Sequence, residues 1–225
     1  FFTATASQLS AMLGFSTKLL DSDLRESTLK KAREELHFTT ASGIKPLYFT
    51  DQDFPERLQQ CDDAPVLLYT LGHCDLKFHR SIAIVGTRHA TPYGIGFVNR
   101  LVDDIAETLP GTLIISGLAY GIDITAHKAA LRTGLPTAGV LAHGLSTIYP
   151  SAHRQIAADM VHGGGMLITE YPHDAPVHRG NFLARNRIIA ALADCTIVVE
   201  SAEKGGALVT AGIAQSYDRD VFALP

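Results

Sequence analysis

Several features that would place a protein outside the cytoplasm are missing from this sequence of 225 residues. No run approaches the roughly 18 uninterrupted apolar residues that a transmembrane helix needs. The opening residues, FFTATASQLS, lack the basic segment and long apolar core of a secretory signal. The three cysteines, Cys61, Cys74 and Cys195, are odd in number and do not have the spacing of metal ligands, so we expect reduced thiols. These absences predict a cytoplasmic protein without a membrane segment.

A large excess of one charge is also missing. Lysine and arginine together number 19 and aspartate and glutamate 23, so the net charge is −4, with −2 on each side of Arg80. A protein with this balance cannot hold a polyanion such as DNA by its overall charge. Any binding of nucleic acid must therefore depend on a local cluster of cationic residues.

The pattern of polar and apolar residues along the chain changes near Arg80. The residues before it are charged and helical, with a helix predicted around residues 24–36, whereas short apolar strands alternate with amphipathic helices after it. This alternation predicts an α/β fold, an extended Rossmann-like, doubly wound and mostly parallel sheet with a small helical N-terminal segment. We expect a partial helical region with a lead-in strand at 1–72 and a Rossmann-like domain at 73–225, trimmed at both ends. The predicted strands are 82–85, 113–116, 137–141, 166–169, 196–199 and 221–223, and the predicted helices are 94–108, 122–133, 152–161, 184–193 and 207–217.

Small residues and glycines follow several of these strands, at the edge where doubly wound sheets bind ligands. Backbone amides at helix starts hold phosphate groups, and an arginine has a fork-shaped guanidinium that matches a phosphate. The sequence has neither the glycine triplet of a dinucleotide site nor the Gly-Lys-Ser/Thr end of a Walker loop, so it predicts neither that cofactor nor NTP hydrolysis. The loop residues are Gly86, Thr87 and Arg88 after the first strand, Ser116 and Gly117 after the second, and Gly205, Gly206 and Thr210 after the fifth.

The segment 177–187 concentrates arginines before an apolar helix. Arg185 and Arg187 lie close to Phe182, with Asn186 between them. The start of a helix normally favours acidic residues because its dipole repels cations, so this cluster fits a phosphate partner. An aromatic ring among cations is typical of single-strand binding, in which bases stack on the ring. The pattern predicts a groove for a phosphate backbone, with no catalytic residue, metal or cofactor.

For three residues, Asp123, His127 and Glu170, both a functional role and a purely structural role remain open at this point. Asp123 and His127 lie one turn apart on a predicted helix, which suits a general base, although a helix cap and a bonded histidine are the interpretation that we favour. Glu170 follows the fourth strand and can accept a hydrogen bond from an arginine or a ribose hydroxyl, or simply fix its loop.

These motifs, in this order, resemble the DNA-processing protein A family (DprA/Smf). The resemblance extends from about Tyr48 to Pro225, and it implies a bacterial cytoplasmic protein with an extended Rossmann domain. It further implies a homodimer that binds and protects incoming single-stranded DNA during natural transformation and loads the RecA recombinase onto it, without catalysis. The matching segments are GTR at 86–88, SGLAYGID at 116–123, YP at 149–150, EYP at 170–172, FLARNRIIA at 182–190 and GGALVTA at 205–211.

The resemblance also implies roles for individual residues. Arg88 matches the arginine of the family that contacts phosphate, and Phe182 matches its stacking residue. Leu183 stands where the family usually has proline, and Ser146 where it usually has aspartate. The remaining implied site residues are Ser116, Gly117, Gly205, Gly206 and Thr210 in the amide cradle, Arg185 and Arg187 as cations of the groove, and Asn186, which orients the loop or binds a phosphate.

An enzymatic alternative is a Rossmann-like phosphoribohydrolase that cleaves nucleoside monophosphates. Enzymes of that group combine a Pro-Gly-Gly-x-Gly-Thr cradle with a catalytic glutamate further along the chain. The corresponding stretch here is 204–210, KGGALVT, and no glutamate follows it in the sequence. This difference favours DNA binding over nucleotide hydrolysis.

Overall fold

A computed structural model describes residues 2–73 and 75–224, so the thiol predicted at Cys74 lies outside the described residues. The chain divides into two compact units, one ending at Gly43 and the other beginning at Ile44. The first unit contains the helices α1 (Ala6–Leu13) and α2 (Ser22–Ala41). Each begins at a polar cap: the Thr5 side chain accepts a hydrogen bond from the amide of Gln8, and Asp21 caps α2. No helix in the described ranges is long and apolar enough to cross a membrane.

The second unit is built on one sheet of eight strands among the residues that the structure describes. Their order across the sheet is β1-β2-β6-β5-β4-β3-β7-β8. From β6 to β8 all neighbours are parallel, which confirms the predicted doubly wound α/β fold. The strands are β1 (Lys45–Tyr48), β2 (Leu67–Gly72), β3 (Ser81–Gly86), β4 (Leu113–Ser116), β5 (Thr137–Val140), β6 (Met166–Thr169), β7 (Cys195–Val199) and β8 (Asp220–Ala223).

Six helices of this unit connect the strands, and most of them cover the faces of the sheet. They are α3 (Glu56–Gln59), α4 (Pro92–Thr108), α5 (Ile122–Thr133), α6 (Arg154–His162), α7 (Arg179–Leu192) and α8 (Gly206–Ser216). Helix α4 begins at Pro92, two residues before the predicted start at residue 94, because the Thr91 hydroxyl accepts from the amide of Gly94 and Pro92 occupies the first turn. Helix α7 begins at Arg179, five residues before the predicted start at residue 184, with the His178 ring accepting from the amide of Gly180.

The lead-in strand that we expected before the Rossmann domain, together with a further strand, β1, extends the sheet of that domain instead. Strand β2 pairs antiparallel with β6, and β1 pairs antiparallel with β2. The boundary between the compact units therefore lies at Gly43–Ile44 and not after Gly72, because backbone hydrogen bonds tie β1 and β2 to the parallel strands.

Both faces of the sheet are buried, as parallel strands require. Successive residues of a strand point to opposite faces. Ile114 packs with Val98 and Val102 of α4, whereas Ile115 packs on the other side with Ile188 of α7. The strand order reverses between β3 and β7, because β4 lies on one side of β3 and β7 on the other. In such sheets the carboxyl ends of the strands at the reversal form a crevice, and this crevice holds the candidate site.

Candidate nucleic-acid interface

The loop after β3 runs directly against the end of β7. A side chain at Gly86 would overlap the carbonyl oxygen of Val199, so only glycine allows the two strands to approach in this way. The Thr87 amide donates to the carbonyl oxygen of Glu200 at 2.7 Å, and the Thr87 hydroxyl accepts from the amide of His89 at 3.2 Å. The Thr87 amide is therefore engaged within the protein, and the loop presents its next residue to solvent.

That next residue, Arg88, contacts a pair of aromatic rings, of which Phe182 is half-buried and Tyr149 is exposed. Its guanidinium carbon lies 5.4 Å from the centre of the Phe182 ring, within the range of a cation–π interaction. Phe182 also meets Tyr149 edge to face, with ring centres 5.8 Å apart. Tyr149 is 45% exposed, and Phe182 lies on the first turns of α7. A cation and two rings from three separate segments thus converge on one surface, which we call the Arg88 cluster (Arg88, Tyr149 and Phe182).

A further exposed ring lies at the same edge of the sheet. Tyr120 follows β4, is 49% exposed and meets the buried His153 edge to face at 4.8 Å between ring centres. The Nδ1 atom of His153 lies 2.8 Å from the carbonyl oxygen of Leu118, which fixes this ring beneath Tyr120. The sequence analysis did not include Tyr120 or Tyr149 among the site residues. Their position in the loops that follow predicted strands, four residues after residue 116 and eight after residue 141, was the available signal.

Arg185 lies inside the molecule and not on the groove surface. Its side chain is 3% exposed, and one guanidinium nitrogen donates to the carbonyl oxygens of Gly117, at 2.8 Å, and Val140. Burial lowers the pKa of Arg185 to about 10, while the nearby carboxylate of Asp123 favours the charged form. The expectation that Arg185 offers a free cation to a phosphate is therefore wrong, because this group is committed to the loops at the ends of β4 and β5.

The loop after β4 is organised around the same buried charge. The Asp123 carboxylate accepts from the amides of Gly117, at 3.1 Å, and Ala119, at 3.4 Å. Desolvation raises the pKa of Asp123, whereas Arg185 and these hydrogen bonds act in the opposite direction. Ser116 is also buried, and its hydroxyl donates to the carbonyl oxygen of Ile84 at 2.6 Å. Ser116 and Gly117 thus shape the floor of the crevice, and the Gly117 amide is occupied by an internal anion.

Arg187 forms an ion pair with Glu170 at the end of β6. Its two terminal nitrogens lie 2.8 and 2.6 Å from the two carboxylate oxygens, and its Nε donates to the carbonyl oxygen of Asp63 at 3.1 Å. Only 17% of the Arg187 side chain is exposed. Its role as a cation of the groove is therefore also corrected: it joins α7 to β6 and to the loop before β2. Glu170 accepts from an arginine, one of the two roles that the sequence left open.

The start of α8 is held by the end of the arginine-rich segment. The side-chain amide of Asn186 donates to the carbonyl oxygen of Gly206 at 3.4 Å, and the buried Thr210 hydroxyl donates to the same oxygen at 3.2 Å. A side chain at Gly205 would overlap the Ser201 hydroxyl, whereas one at Gly206 would meet no atom within 4 Å. Asn186, which we expected to orient the arginine-rich loop or to bind a phosphate, thus holds the start of α8, and the amide of Gly205 donates to the carbonyl of Ala202.

His127 is not placed to act as a general base on a bound ligand. The ring is fully buried, and its Nδ1 lies 2.7 Å from the Thr137 hydroxyl, which itself donates to the carbonyl of Ile114. Because the hydroxyl proton is used there, Nδ1 carries the proton of the ring. Burial lowers the pKa of His127 to about 3, so the neutral ring persists at neutral pH. The structural interpretation of this pair is thus right for His127, which is bonded at Nδ1, but the expected helix cap is wrong, because the Asp123 carboxylate accepts from the amides of the preceding loop and not from those of α5.

Comparison with protein families matches residues 45–225 to the family described as DNA recombination-mediator protein A. Among curated proteins, the chain is 40% identical over 179 residues to protein Smf of Synechocystis, covering 78% of this chain and 44% of that protein. It is 38% identical over 184 residues to DNA processing protein DprA of Bacillus subtilis, covering 81% and 61% respectively. The chain thus spans about half the length of the curated relatives that it matches.

Two solved structures share the fold closely. DNA processing protein A from Streptococcus pneumoniae superimposes with a TM-score of 0.74 at 35% identity, over 81% of this chain and 63% of that one. The protein of the same name from Helicobacter pylori, whose structure concerns its single-stranded DNA binding mode, gives a TM-score of 0.72 at 32% identity, over 81% and 80%. The matched residues include the whole parallel sheet and its crevice, and the chain belongs to the DNA recombination-mediator protein A family.

Proposed function

We propose that the unit beginning at Ile44 binds single-stranded DNA across the crevice at the ends of β3, β4 and β7 and serves as a recombination mediator. The Arg88 cluster is the observation that carries this proposal, because an exposed guanidinium beside two accessible rings offers both a phosphate contact and a stacking surface. The Helicobacter relative, which shares the sheet and crevice, has a structure that concerns single-stranded DNA binding.

The same cluster favours a single strand over a duplex. Bases in a duplex are stacked on one another, so their faces are not available to Phe182 or Tyr149. The net charge of −4 also limits the electrostatic attraction that holds a duplex without regard to sequence. We therefore expect affinity to come from a few local contacts and to depend only moderately on salt.

We further propose the cellular role that family membership implies. The protein protects incoming single strands during natural transformation, loads the RecA recombinase onto them and works as a homodimer in the bacterial cytoplasm. We infer binding without a chemical step, because the acid–base candidates Asp123 and His127 are buried and hydrogen-bonded to the protein itself.

Fluorescence anisotropy with a labelled thymidine oligonucleotide tests the binding site directly. Arg88→Ala removes a charged phosphate contact and should weaken binding by about ten- to a hundredfold. It should also reduce the slope of log K against log salt by about 0.7, the change expected for one lost contact. Phe182→Ala should weaken binding by about five- to 150-fold, since one stacked base contributes about 1–3 kcal/mol.

Arg100→Ala is the matched control. Arg100 is an exposed arginine of α4, eight residues after Pro92, and lies about 12 Å along the helix axis from its start. This variant should keep wild-type affinity and salt slope. Equal effects of Arg88→Ala and Arg100→Ala would place the strand elsewhere. If AMP displaced the oligonucleotide when its concentration merely equalled the total concentration of nucleotides in the oligonucleotide, the site would instead resemble the mononucleotide site of a phosphoribohydrolase.

A further inference from the structure

The loop that carries Arg88 is held at both ends by one acidic residue. The backbone carbonyl of Glu200 accepts from the Thr87 amide at 2.7 Å, just before Arg88. The Glu200 carboxylate accepts from the Thr91 amide at 2.9 Å and from the Thr91 hydroxyl, three residues after Arg88. The two ends of the segment 87–91 are therefore both anchored to the residue that follows β7.

The backbone at Glu200 is itself unusual. Its φ is +54°, in the left-handed region that residues with a side chain seldom adopt. Such a conformation persists only where surrounding contacts determine it, and these residues concentrate at functional sites. The left-handed turn directs the side chain from the end of β7 toward the start of α4.

The start of α4 is shaped to receive this carboxylate. A side chain at Gly94 would place its first carbon 2.6 Å from the carboxyl carbon of Glu200, so the close approach requires glycine there. The hydrogen bonds from the Thr91 side chain and amide lower the pKa of Glu200, which is therefore ionised at neutral pH. A negative charge is favourable at this position because the N-terminal end of a helix is partly positive.

A carboxylate at this edge opposes the binding of DNA through simple charge repulsion. Doubly wound proteins commonly hold a phosphate of their ligand at the start of the first helix, and here the protein's own anion occupies that place. Phosphates of a bound strand must then be held by Arg88, the cation at the tip of the anchored loop. The charge of Glu200 should weaken the binding of DNA, whereas its hydrogen bonds to the Arg88 loop should strengthen it. Replacing Glu200 therefore shows, by the direction in which the affinity changes, which of the two effects is larger.

We propose that Glu200 is a positioning residue for strand binding, which fixes the Arg88 loop from both ends while excluding free phosphate from the start of α4. This proposal rests on the proposed function, because it assigns to Glu200 an effect on the contact that Arg88 makes with the strand. It predicts that removing a negative charge from the binding edge weakens the binding of a polyanion.

The first test compares Glu200→Ala with Glu203→Ala in the same anisotropy assay. Glu203 is an exposed acid three residues further along, in the loop before α8. Glu200→Ala should weaken oligonucleotide binding by about tenfold, close to the effect of Arg88→Ala. Glu203→Ala should leave affinity unchanged or raise it slightly, as expected from charge alone. An increase in affinity with Glu200→Ala would overturn the proposal.

A double-mutant cycle distinguishes positioning from general loss of structure. In the Arg88→Ala background, Glu200→Ala should have no further weakening effect, because the contact that it supports is already gone. The salt slope of Glu200→Ala should fall by about 0.7, as for Arg88→Ala. Additive losses with an unchanged slope would refute an action through Arg88.

Glu200→Gln provides the rescue control. Glutamine keeps an oxygen that accepts from Thr91 but carries no charge, so affinity should lie well above that of Glu200→Ala. Inorganic phosphate, added to each variant, should compete for the oligonucleotide more strongly with Glu200→Ala than with wild type. If Arg88→Ala itself has no effect, the proposed function fails. If Arg88→Ala weakens binding but Glu200→Ala does not, only the role of Glu200 fails.

Discussion

Replacing Arg185 by methionine should destabilise the fold, because this side chain is an internal support of the crevice. Methionine has a similar unbranched length but no charge and no hydrogen-bond donor. The change would remove the guanidinium that donates to the carbonyls of Gly117 and Val140 and that attracts the buried Asp123 carboxylate. Leaving a buried charge without its partner costs about 3–5 kcal/mol. A domain of this size has a free energy of unfolding of only about 5–15 kcal/mol.

Urea denaturation followed by circular dichroism measures this loss. With a denaturant slope of about 2 kcal/mol per molar urea, the midpoint should fall by about 2 M. Adding Asp123→Asn to the Arg185→Met variant removes the charge of the carboxylate as well and keeps an oxygen that accepts from the Gly117 amide. The double variant should recover much of the loss, since removing a buried pair is less costly than breaking it.

The effect should also depend on pH. Desolvation raises the pKa of Asp123, and loss of Arg185 raises it further, so the folded state binds a proton more readily than the unfolded chain. Stability of the variant then falls as pH rises from about 4, the ordinary carboxyl pKa, through the raised pKa of the folded state. The difference from wild type should therefore shrink below pH 4. A loss under about 1 kcal/mol at neutral pH, or a double variant as unstable as the sum of the single ones, would refute this account.

Two further predictions concern the same buried region. Gly117→Ala places a carbon 2.5 Å from the Arg185 guanidinium and should reduce the free energy of unfolding by about 1–3 kcal/mol, as measured by thermal unfolding. In the control Gly206→Ala the added carbon meets no atom within 4 Å, so the free energy of unfolding should change by under about 1 kcal/mol. Equal losses in the two variants would contradict the packing described around Gly117. His127, with a pKa near 3 in the folded state, should show no titration of its ring signals in NMR spectra between pH 8 and 5. Because the unfolded chain binds the proton first, stability should fall as pH drops from about 6.5 toward 3.

The sheet and most helices followed from the sequence because local signals mark both their ends. Helix α5 begins after Gly121 and ends at Gly134, both at positive φ, and its predicted bounds match those observed. Strands β4 and β6 are short apolar runs between turn residues, and they too match. Because these strands are buried on both faces, their residues are uniformly apolar, whereas a strand with one face in solvent alternates apolar and polar residues.

The arginines of α7 were misplaced because a single sequence does not reveal their partners. A buried arginine is rare, so an exposed one is the natural expectation. Arg185 enters the core because Asp123, 62 positions earlier, lies across the crevice, and Arg187 turns to Glu170. The start of α7 was missed because its cap is a histidine, His178, whose ring accepts from the amide of Gly180; Arg185 and Arg187 therefore lie within the helix and not at its start.

The Arg88 cluster was recovered in part. Arg88 and Phe182 were expected at the site, and they do meet. Tyr149 was noted only as part of the YP motif at 149–150, since its proximity to Phe182 depends on how α7 packs on the sheet. Glu200 was not among the expected site residues, since its hydrogen bonds to the Arg88 loop join residues more than a hundred positions apart.

The central pairing of β3 with β7 has a consequence for the order in which the molecule assembles. The amide of Ser81 bonds the carboxylate of Asp194 across a sequence separation of 113 residues, at the edge where these strands begin to pair. Contacts between such distant segments close large loops and form late in folding. While the ribosome has yet to release β7, the newly made β3 carries Arg88 on an unanchored loop. The binding site that we propose therefore requires that β7 has already been synthesised and has paired with β3.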